Sequence, residues 1–337
     1  MVRQRQTSNR GLPAHSRRED RKNSEAADAP ETPRSARRKV ETKFGVVALV
    51  GRPNAGKSTL LNHILGQKVS IVSAKPQTTR NRIVGILNEP RGQIAFLDTP
   101  GIHKPLHKMN VRMMDHVRAS LSEADIVALL VDATEEFGHG DQYVIDMLRQ
   151  TGGGNRFAIL NKIDLLKKQK LLPIIERYSA TGLFDEIVPV SASTGDGVDD
   201  LLNLFFKNLK PGEALYPTED FTTQPERFFA SEIIREKVLE HTVDELPYTT
   251  AVSVDRWEED EAKNLIKIYA TIVVERESQK PIVIGKRAEM VKRIGTEARL
   301  ELESILGAKV FLDLHVGVHE RWREDERFLG ELEWPLS

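Results

Sequence analysis

The chain has 337 residues, 39% of them hydrophobic and 29% charged, ordinary values for a soluble protein with a real core. At roughly 100–200 residues per domain, that length predicts two domains. The longest apolar runs, Val46–Val50 and Ile126–Val131, fall far short of the ~20 residues that a membrane-spanning helix needs, and there is no cysteine for disulfides, thiolate metal sites or a thiol nucleophile. The net charge of −1 hides an asymmetry: residues 1–43 carry 12 Lys/Arg against 6 Asp/Glu and leave the rest of the chain near −7. A globally basic nucleic-acid binder is excluded, so any RNA contact must come from a local patch.

Taken in chain order, residues 1–43 are Arg-, Ser-, Pro- and Ala-rich with almost no large apolar side chain, and are predicted to be a disordered basic tail. They hold no apolar stretch of secretory-signal length, and six acidic residues argue against an organelle transit peptide. Residues 44–210 alternate short apolar runs with amphipathic stretches. Strands are predicted at Gly45–Val50, Arg82–Leu87, Gln93–Leu97, Ile126–Val131, Phe157–Leu160 and Ile187–Val190, and helices near Ser58–Leu65, Met109–Leu121, Tyr143–Arg149, Lys170–Tyr178 and Val198–Phe206. Interleaved strands and helices give an α/β fold, a mostly parallel sheet with helices on both faces. Only Asn88–Gly92 separates the second strand from the third, too short for a crossover, so these two pair as an antiparallel edge hairpin. Residues 211–225, opened by Lys210-Pro211-Gly212, read as a linker. Residues 226–337 form a smaller α+β unit: a helix around Arg227–Leu239, strands near Thr250–Arg256 and Leu265–Val274, helices flanking Gly285, and a strand at Val310–Val316.

The first predicted strand runs into Gly51-Arg52-Pro53-Asn54-Ala55-Gly56-Lys57-Ser58, followed by Thr59 and a helix. This is the phosphate-binding pattern G-x-x-x-x-G-K-[ST] in its required strand–loop–helix setting. Glycines let successive backbone N–H groups face one concavity, and the helix N-terminus adds partial positive charge. Lys57 can reach the outer phosphates, and the Ser58 hydroxyl can ligate Mg²⁺. Asp98-Thr99-Pro100-Gly101 ends the third strand, where Asp98 can hold Mg²⁺ through water and the Gly101 N–H can meet a γ-phosphate. Asn161-Lys162-Ile163-Asp164 follows the fifth strand. The Asp164 carboxylate can accept two hydrogen bonds from guanine, a pair that adenine does not offer. Ser191-Ala192 follows the sixth strand, placing the Ala192 N–H where it could touch the guanine O6. All four segments sit at C-terminal strand ends, the edge where open α/β sheets bind ligands.

Together with Gln77-Thr78-Thr79-Arg80-Asn81, these motifs resemble the Era family of translation-factor-type GTPases. The likeness covers about 44–337. It implies a first switch at 77–81 in which Thr79 closes over Mg²⁺ and the γ-phosphate, making Lys57, Thr79 and Gly101 the catalytic set. Ile102 stands where Ras-like enzymes carry the glutamine that orients the attacking water, so slow intrinsic hydrolysis is expected. Asn54 matches the asparagine of potassium-stimulated relatives, which adds K⁺ to Mg²⁺ as an expected ion. The C-terminal unit resembles a KH domain, whose G-x-x-G loop clamps single-stranded RNA backbone. Here the loop is Gly285-Lys286-Arg287-Ala288, with alanine in place of the second glycine, and Lys292 and Arg293 follow. Residues 220–337 carry a net charge of −8, so this is one basic edge on an acidic domain.

The resemblance further implies recognition of small-subunit ribosomal RNA near its 3′ end, work on the 30S subunit during its assembly, and a cytoplasmic location with loose peripheral contact with the inner face of the bacterial membrane. No feature points to an obligate oligomer. Two other function classes fit the motifs: an RNA-binding scaffold that holds guanine nucleotide with negligible hydrolysis, and a membrane-associated signalling GTPase acting through its tail. His103 and His107, spaced as on one helix face, are expected to be solvent-exposed, and Trp257, Trp322 and Trp334 to be packing residues.

Overall fold

The computed structural model describes residues 42–152 and 154–333, so segment 1–41 of the predicted tail and Trp334 lie outside the described residues. Thr42 and Lys43, assigned above to the tail, belong to the fold. Strand β1 (Lys43–Gly51) begins at Lys43, whose ammonium donates to the Phe206 carbonyl at 2.7 Å.

The first sheet comprises β1, β2 (Ile83–Glu89), β3 (Gly92–Asp98), β4 (Ile126–Asp132), β5 (Asn155–Asn161) and β6 (Glu186–Pro189), in spatial order β2-β3-β1-β4-β5-β6. Only the β2–β3 pair is antiparallel, the edge hairpin that the short connection required. The central strands β1 and β4 are nearly continuous apolar runs because helices cover both faces. Helices α1 (Lys57–Leu65) and α5 (Val198–Asn208) pack on one face, and α2 (Lys108–Glu123), α3 (His139–Gln150) and α4 (Leu171–Ser179) on the other. Under α5, Phe205 stacks on Phe157 with ring centroids 5.7 Å apart and meets Phe96 edge-on. Burial of such side chains, worth ~1.5–3 kcal/mol each, fixes the sheet whose C-terminal edge carries the motifs.

The chain then crosses the edge strands as a strap rather than a free linker. The buried Gln93 side chain accepts from the Leu215 and Tyr216 N–H groups, Thr222 donates to the Val84 carbonyl, and Gln224 donates to the Arg82 carbonyl.

The second unit comprises α6 (Glu226–His241), α7 (Leu246–Thr249), β7 (Ala251–Asp260), β8 (Leu265–Val274), α8 (Lys280–Ile284), α9 (Glu289–Leu306), β9 (Lys309–Val318) and α10 (Glu326–Leu332). Its sheet runs β7-β8-β9, antiparallel then parallel, with α6, α8 and α9 packed against it. The two units exchange core residues. Ile71 packs into the second unit's core, while Trp322 and Leu329 pack into the first unit's core beneath α2.

Candidate nucleotide-binding site and its contacts with the second unit

The β1–α1 loop is held open by backbone geometry that its sequence permits. Gly56 sits at φ 96°, and a Cβ there would meet the Asn161 side chain at 2.1 Å. Gly101 has its own reason to be glycine, since a Cβ there would press on the Pro53 backbone at 2.7 Å. Pro53, Asn54, Gly56, Lys57, Ser58, Thr59, Thr79, Gly101 and Lys162 line one cleft of about 250 Å³. Lys57 is buried and donates to the Arg52 carbonyl at 3.1 Å. Burial pushes its pKa down to about 8, with Asp98 opposing.

Beneath the loop, Ser58 Oγ lies 2.6 Å from Asp98 Oδ2 and 2.9 Å from Thr79 Oγ1. Ser70, which sequence reasoning did not single out, also donates to Asp98 Oδ2, at 2.8 Å. Asp98 is fully buried, and burial raises its pKa, with Lys57 and the two serines opposing. Its second oxygen, Oδ1, has no hydrogen-bond partner. A buried carboxylate oxygen left bare beside two hydroxyls is the donor set of a hard divalent cation, so these residues fit Mg²⁺.

At the far end of the cleft, Asn161 joins three motifs: its Nδ2 donates to the Ala55 carbonyl and its Oδ1 accepts from the Ala192 N–H at 2.9 Å. The Ala192 N–H, expected to face a base, is therefore committed to Asn161, and a base oxygen there would share it. Lys162 adopts a left-handed conformation and pairs with Asp132, while Asp164 stays exposed beyond it. Ser191 is buried, with its hydroxyl 3.0 Å from that of Ser193.

Other expected site side chains point elsewhere. Arg52 turns to Asp141 at 2.9 Å and offers the cleft only backbone, Thr99 Oγ1 donates to the Leu49 carbonyl, and Pro100 is buried. Ile102 is 2% exposed and packs in the core under α2, so it presents nothing to an attacking water. Asn54 takes φ 62° and donates to the Ala74 carbonyl, leaving its carboxamide oxygen as an acceptor at the cleft.

The two histidines, expected to be solvent-exposed, are both half-buried, and they share no helix face because α2 begins only at Lys108. His103 Nε2 lies 3.0 Å from both Gln77 Nε2 and Asn110 Nδ2, tying the 77–81 loop to α2, and His107 Nδ1 meets Glu324 Oε1 at 3.0 Å.

The 77–81 loop is also anchored in the second unit. Arg80 donates to the carbonyls of Thr250 (2.7 Å) and Pro247 (3.0 Å) and lies 5.5 Å from the Trp322 ring. Arg235 of α6 donates to the Thr78 carbonyl. Arg80 belongs to the 77–81 motif, but its anchoring role, like Arg235 as a whole, is revealed only by tertiary packing. The expected packing role of Trp322 holds, for it is fully buried with its indole N–H on the Thr249 carbonyl.

Between α8 and α9, Gly285 takes φ 74° while Arg287 and Ala288 take φ 51° and 61°. Ala288 thus adopts a left-handed conformation that an L-residue resists, and the four-residue loop keeps its turn. Lys286, Arg287, Lys292 and Arg293 are exposed along one edge. Arg293 pairs with Glu297, whereas the other three make no ion pair among the described residues.

The features at the sheet edge, with the loop and helices that follow the strap, define a P-loop GTPase joined to a KH domain. Comparisons agree. A family model described as 50S ribosome-binding GTPase matches residues 46–162, and one described as KH domain matches 245–323. GTPase Era of Geobacter metallireducens is 51% identical over 290 residues, 86% of this chain and 97% of that protein. The Syntrophus aciditrophicus protein is 47% identical over 86% of this chain and 94% of its own. Two solved structures align with TM-scores of 0.83 at 40% identity over 86% of this chain: Era in complex with MgGDPNP and nucleotides 1506–1542 of 16S ribosomal RNA (98% of that chain), and Aquifex aeolicus Era bound to GDP·AlF4⁻ (99%). The chain belongs to the Era GTPase family.

Proposed function

We propose that this protein is a GTPase whose nucleotide state governs its grip on single-stranded RNA near the 3′ end of small-subunit ribosomal RNA, acting on the 30S subunit during assembly. One observation carries the coupling: the loop holding Thr79, beside Ser58 and Asp98, is anchored through Arg80 and Arg235 in the unit that bears the Gly285–Ala288 loop. The solved Era complex with MgGDPNP and 16S ribosomal RNA supports the pairing of ligands. In this reading residues 42–210 form the GTPase domain, 211–225 the connection and 226–337 the RNA-binding domain, with 1–41 an accessory basic tail.

The backbone of Gly51–Thr59 and the Gly101 N–H bind the phosphates, Lys57 bridges the outer two, and Asp164 reads the base beside Asn161. Ser58, Thr79 and, through water, Asp98 would hold Mg²⁺, which supplies charge neutralisation on the β- and γ-phosphates when bound. Ile102 lies in the core, so the attacking water is oriented by backbone groups, another residue or a partner, and intrinsic turnover is slow. The Asn54 carboxamide oxygen is the candidate ligand for K⁺. Lys286, Arg287, Lys292 and Arg293 contact RNA phosphates at the edge formed by Gly285 and Ala288. We place the protein in the cytoplasm, with peripheral membrane contact assigned to the basic tail; no helix among the described residues is long and apolar enough to cross a membrane.

The experiment is a titration of 16S 3′-end RNA onto the full chain and the variant Lys286→Asp/Arg287→Asp at matched salt. The variant should lose RNA binding by at least tenfold and keep GTP affinity. Undiminished RNA binding would make the basic edge an ordinary solvated surface and reject the RNA assignment.

A further inference from the structure

Segment 68–72, between α1 and the 77–81 loop, ties the cation site to the second unit without using Arg80 or Arg235. Ser70 is 2% exposed and does not line the nucleotide cleft, so it can act on a bound cation only through another residue. Its hydroxyl donates to Asp98 Oδ2 at 2.8 Å, the oxygen that also accepts from Ser58. A hydroxyl has one proton to give. Ser58, which belongs to the donor set for Mg²⁺, also lies 2.9 Å from Thr79 Oγ1, so its proton has a second acceptor. Among the described residues the Ser70 hydroxyl has Asp98 alone.

Ser70 is pinned from both sides. From α1, Asn62 Oδ1 accepts from the Val69 and Ser70 N–H groups at 2.9 and 3.0 Å, and Asn62 Nδ2 donates to the Ser70 carbonyl at 2.7 Å. From α6, the buried Glu236 accepts the Val72 N–H at 2.9 Å through Oε1 and pairs with Lys68 through Oε2. Lys68 also pairs with Glu301 of α9, the helix that starts directly after the Gly285–Ala288 loop. Within two residues the chain passes from Val69, packed in the first unit's core, to Ile71, packed in the second's. A shift of α6 against the first sheet therefore moves the residue between them.

We infer that Ser70 is a positioning residue for the cation site: its hydroxyl fixes Asp98 Oδ2, leaves the bare Oδ1 for a Mg²⁺-bound water, and is held in register by Glu236. Donors behind a metal site's carboxylates set metal affinity by roughly ten- to a hundredfold. The Mg²⁺ affinity of the nucleotide complex thereby reports how the second unit is docked. That consequence bears on RNA through the reading proposed above, in which the second unit binds it.

The test titrates Mn²⁺, a paramagnetic ion suited to the same oxygen ligands as Mg²⁺, into the full chain saturated with GDP and reads binding from water-proton relaxation. GDP affinity is measured separately in excess chelator. Ser70→Ala should weaken Mn²⁺ binding roughly tenfold and leave the chelator value within about twofold of the parent, a split that a merely structural role would not produce. Ser70→Cys, close in size with a much weaker donor, should also lose Mn²⁺ affinity and carries the test should the alanine variant misfold. Glu236→Ala should weaken Mn²⁺ by about fivefold, the low end of ordinary coupling between sites, and Lys68→Ala takes its place if that variant misfolds. Unchanged or tighter Mn²⁺ binding in the Ser70 variants overturns the positioning role, and an unchanged value in Glu236→Ala overturns the link to the second unit. No saturable Mn²⁺ binding by the parent overturns both together with the cation site. None of these readouts involves RNA, so their failure leaves the RNA assignment standing, and loss of that assignment leaves these values unaffected.

Discussion

Replacing Ala288 with glycine should stabilise the protein, because the Gly285–Ala288 turn holds a strained residue. Ala288 sits at φ 61°, ψ 25°, beside Arg287 at φ 51°. For an L-residue the left-handed conformation costs roughly 1–2 kcal/mol, which glycine removes. Against this, glycine's greater freedom in the unfolded chain costs about 0.4–1 kcal/mol. The balance favours Ala288→Gly by about 0.5–1 kcal/mol, a rise of ~1–4 °C in thermal midpoint for a chain of this size. The same change removes a methyl where RNA backbone would approach, so RNA affinity should rise modestly alongside. Scanning calorimetry of the full chain, paired with RNA titration at matched salt, reads both. A lowered midpoint would mean that the alanine is unstrained and that the loop argument is wrong.

Asp164→Asn should lower GTP affinity and shift preference toward xanthine nucleotides, because the charged acceptor pair for guanine is lost; unchanged GTP and XTP affinities would remove Asp164 from the base site. Lys57, held near pKa 8 by burial, is charged below that pH and regains its proton when phosphates arrive. Affinity for Mg²⁺-free GDP should therefore be highest below pH 8 and fall by up to about tenfold per pH unit as pH rises through that value, with proton uptake on binding. Calorimetry in buffers of different ionisation enthalpy checks this, and zero uptake at pH 8–9 would refute it. Potassium should accelerate hydrolysis over sodium at equal ionic strength, and Asn54→Ala should remove the difference; a full potassium response in that variant would dismiss the Asn54 carboxamide as a cation ligand.

The GTPase sheet was legible because its signals are local. Continuous apolar strands such as Ile126–Val131, the short hairpin connection and glycines at positions of close approach each leave a mark in the sequence. The Ser58–Asp98 pairing followed from motif order at strand ends. What escaped are interactions with no period. The 211–225 strap is held by side chains such as Gln93 and Thr222 bonding to backbone, and Arg80, Arg235 and Ser70 acquire their roles only when distant segments meet. Helix α10 left one readable cue: Asp325 caps it, accepting from the Arg327 and Phe328 N–H groups. The histidines are half-buried rather than exposed because their partners, Gln77 and Asn110 for His103 and Glu324 for His107, come from other segments. Pro105 between them keeps their i, i+4 spacing from meaning a shared helix face.

The central claim is that nucleotide state at the Ser58–Thr79–Asp98 cluster reaches the RNA edge through the loop anchored by Arg80 and Arg235. Crosslinking of 16S 3′-end RNA to the full chain, mapped by nucleotide and by residue in the GTP-analogue and GDP states, tests it most directly. The account predicts crosslinks at Gly285–Arg293 that are strong with the GTP analogue and weak with GDP. Identical crosslinks in both states, or crosslinks confined to other surfaces, would contradict it.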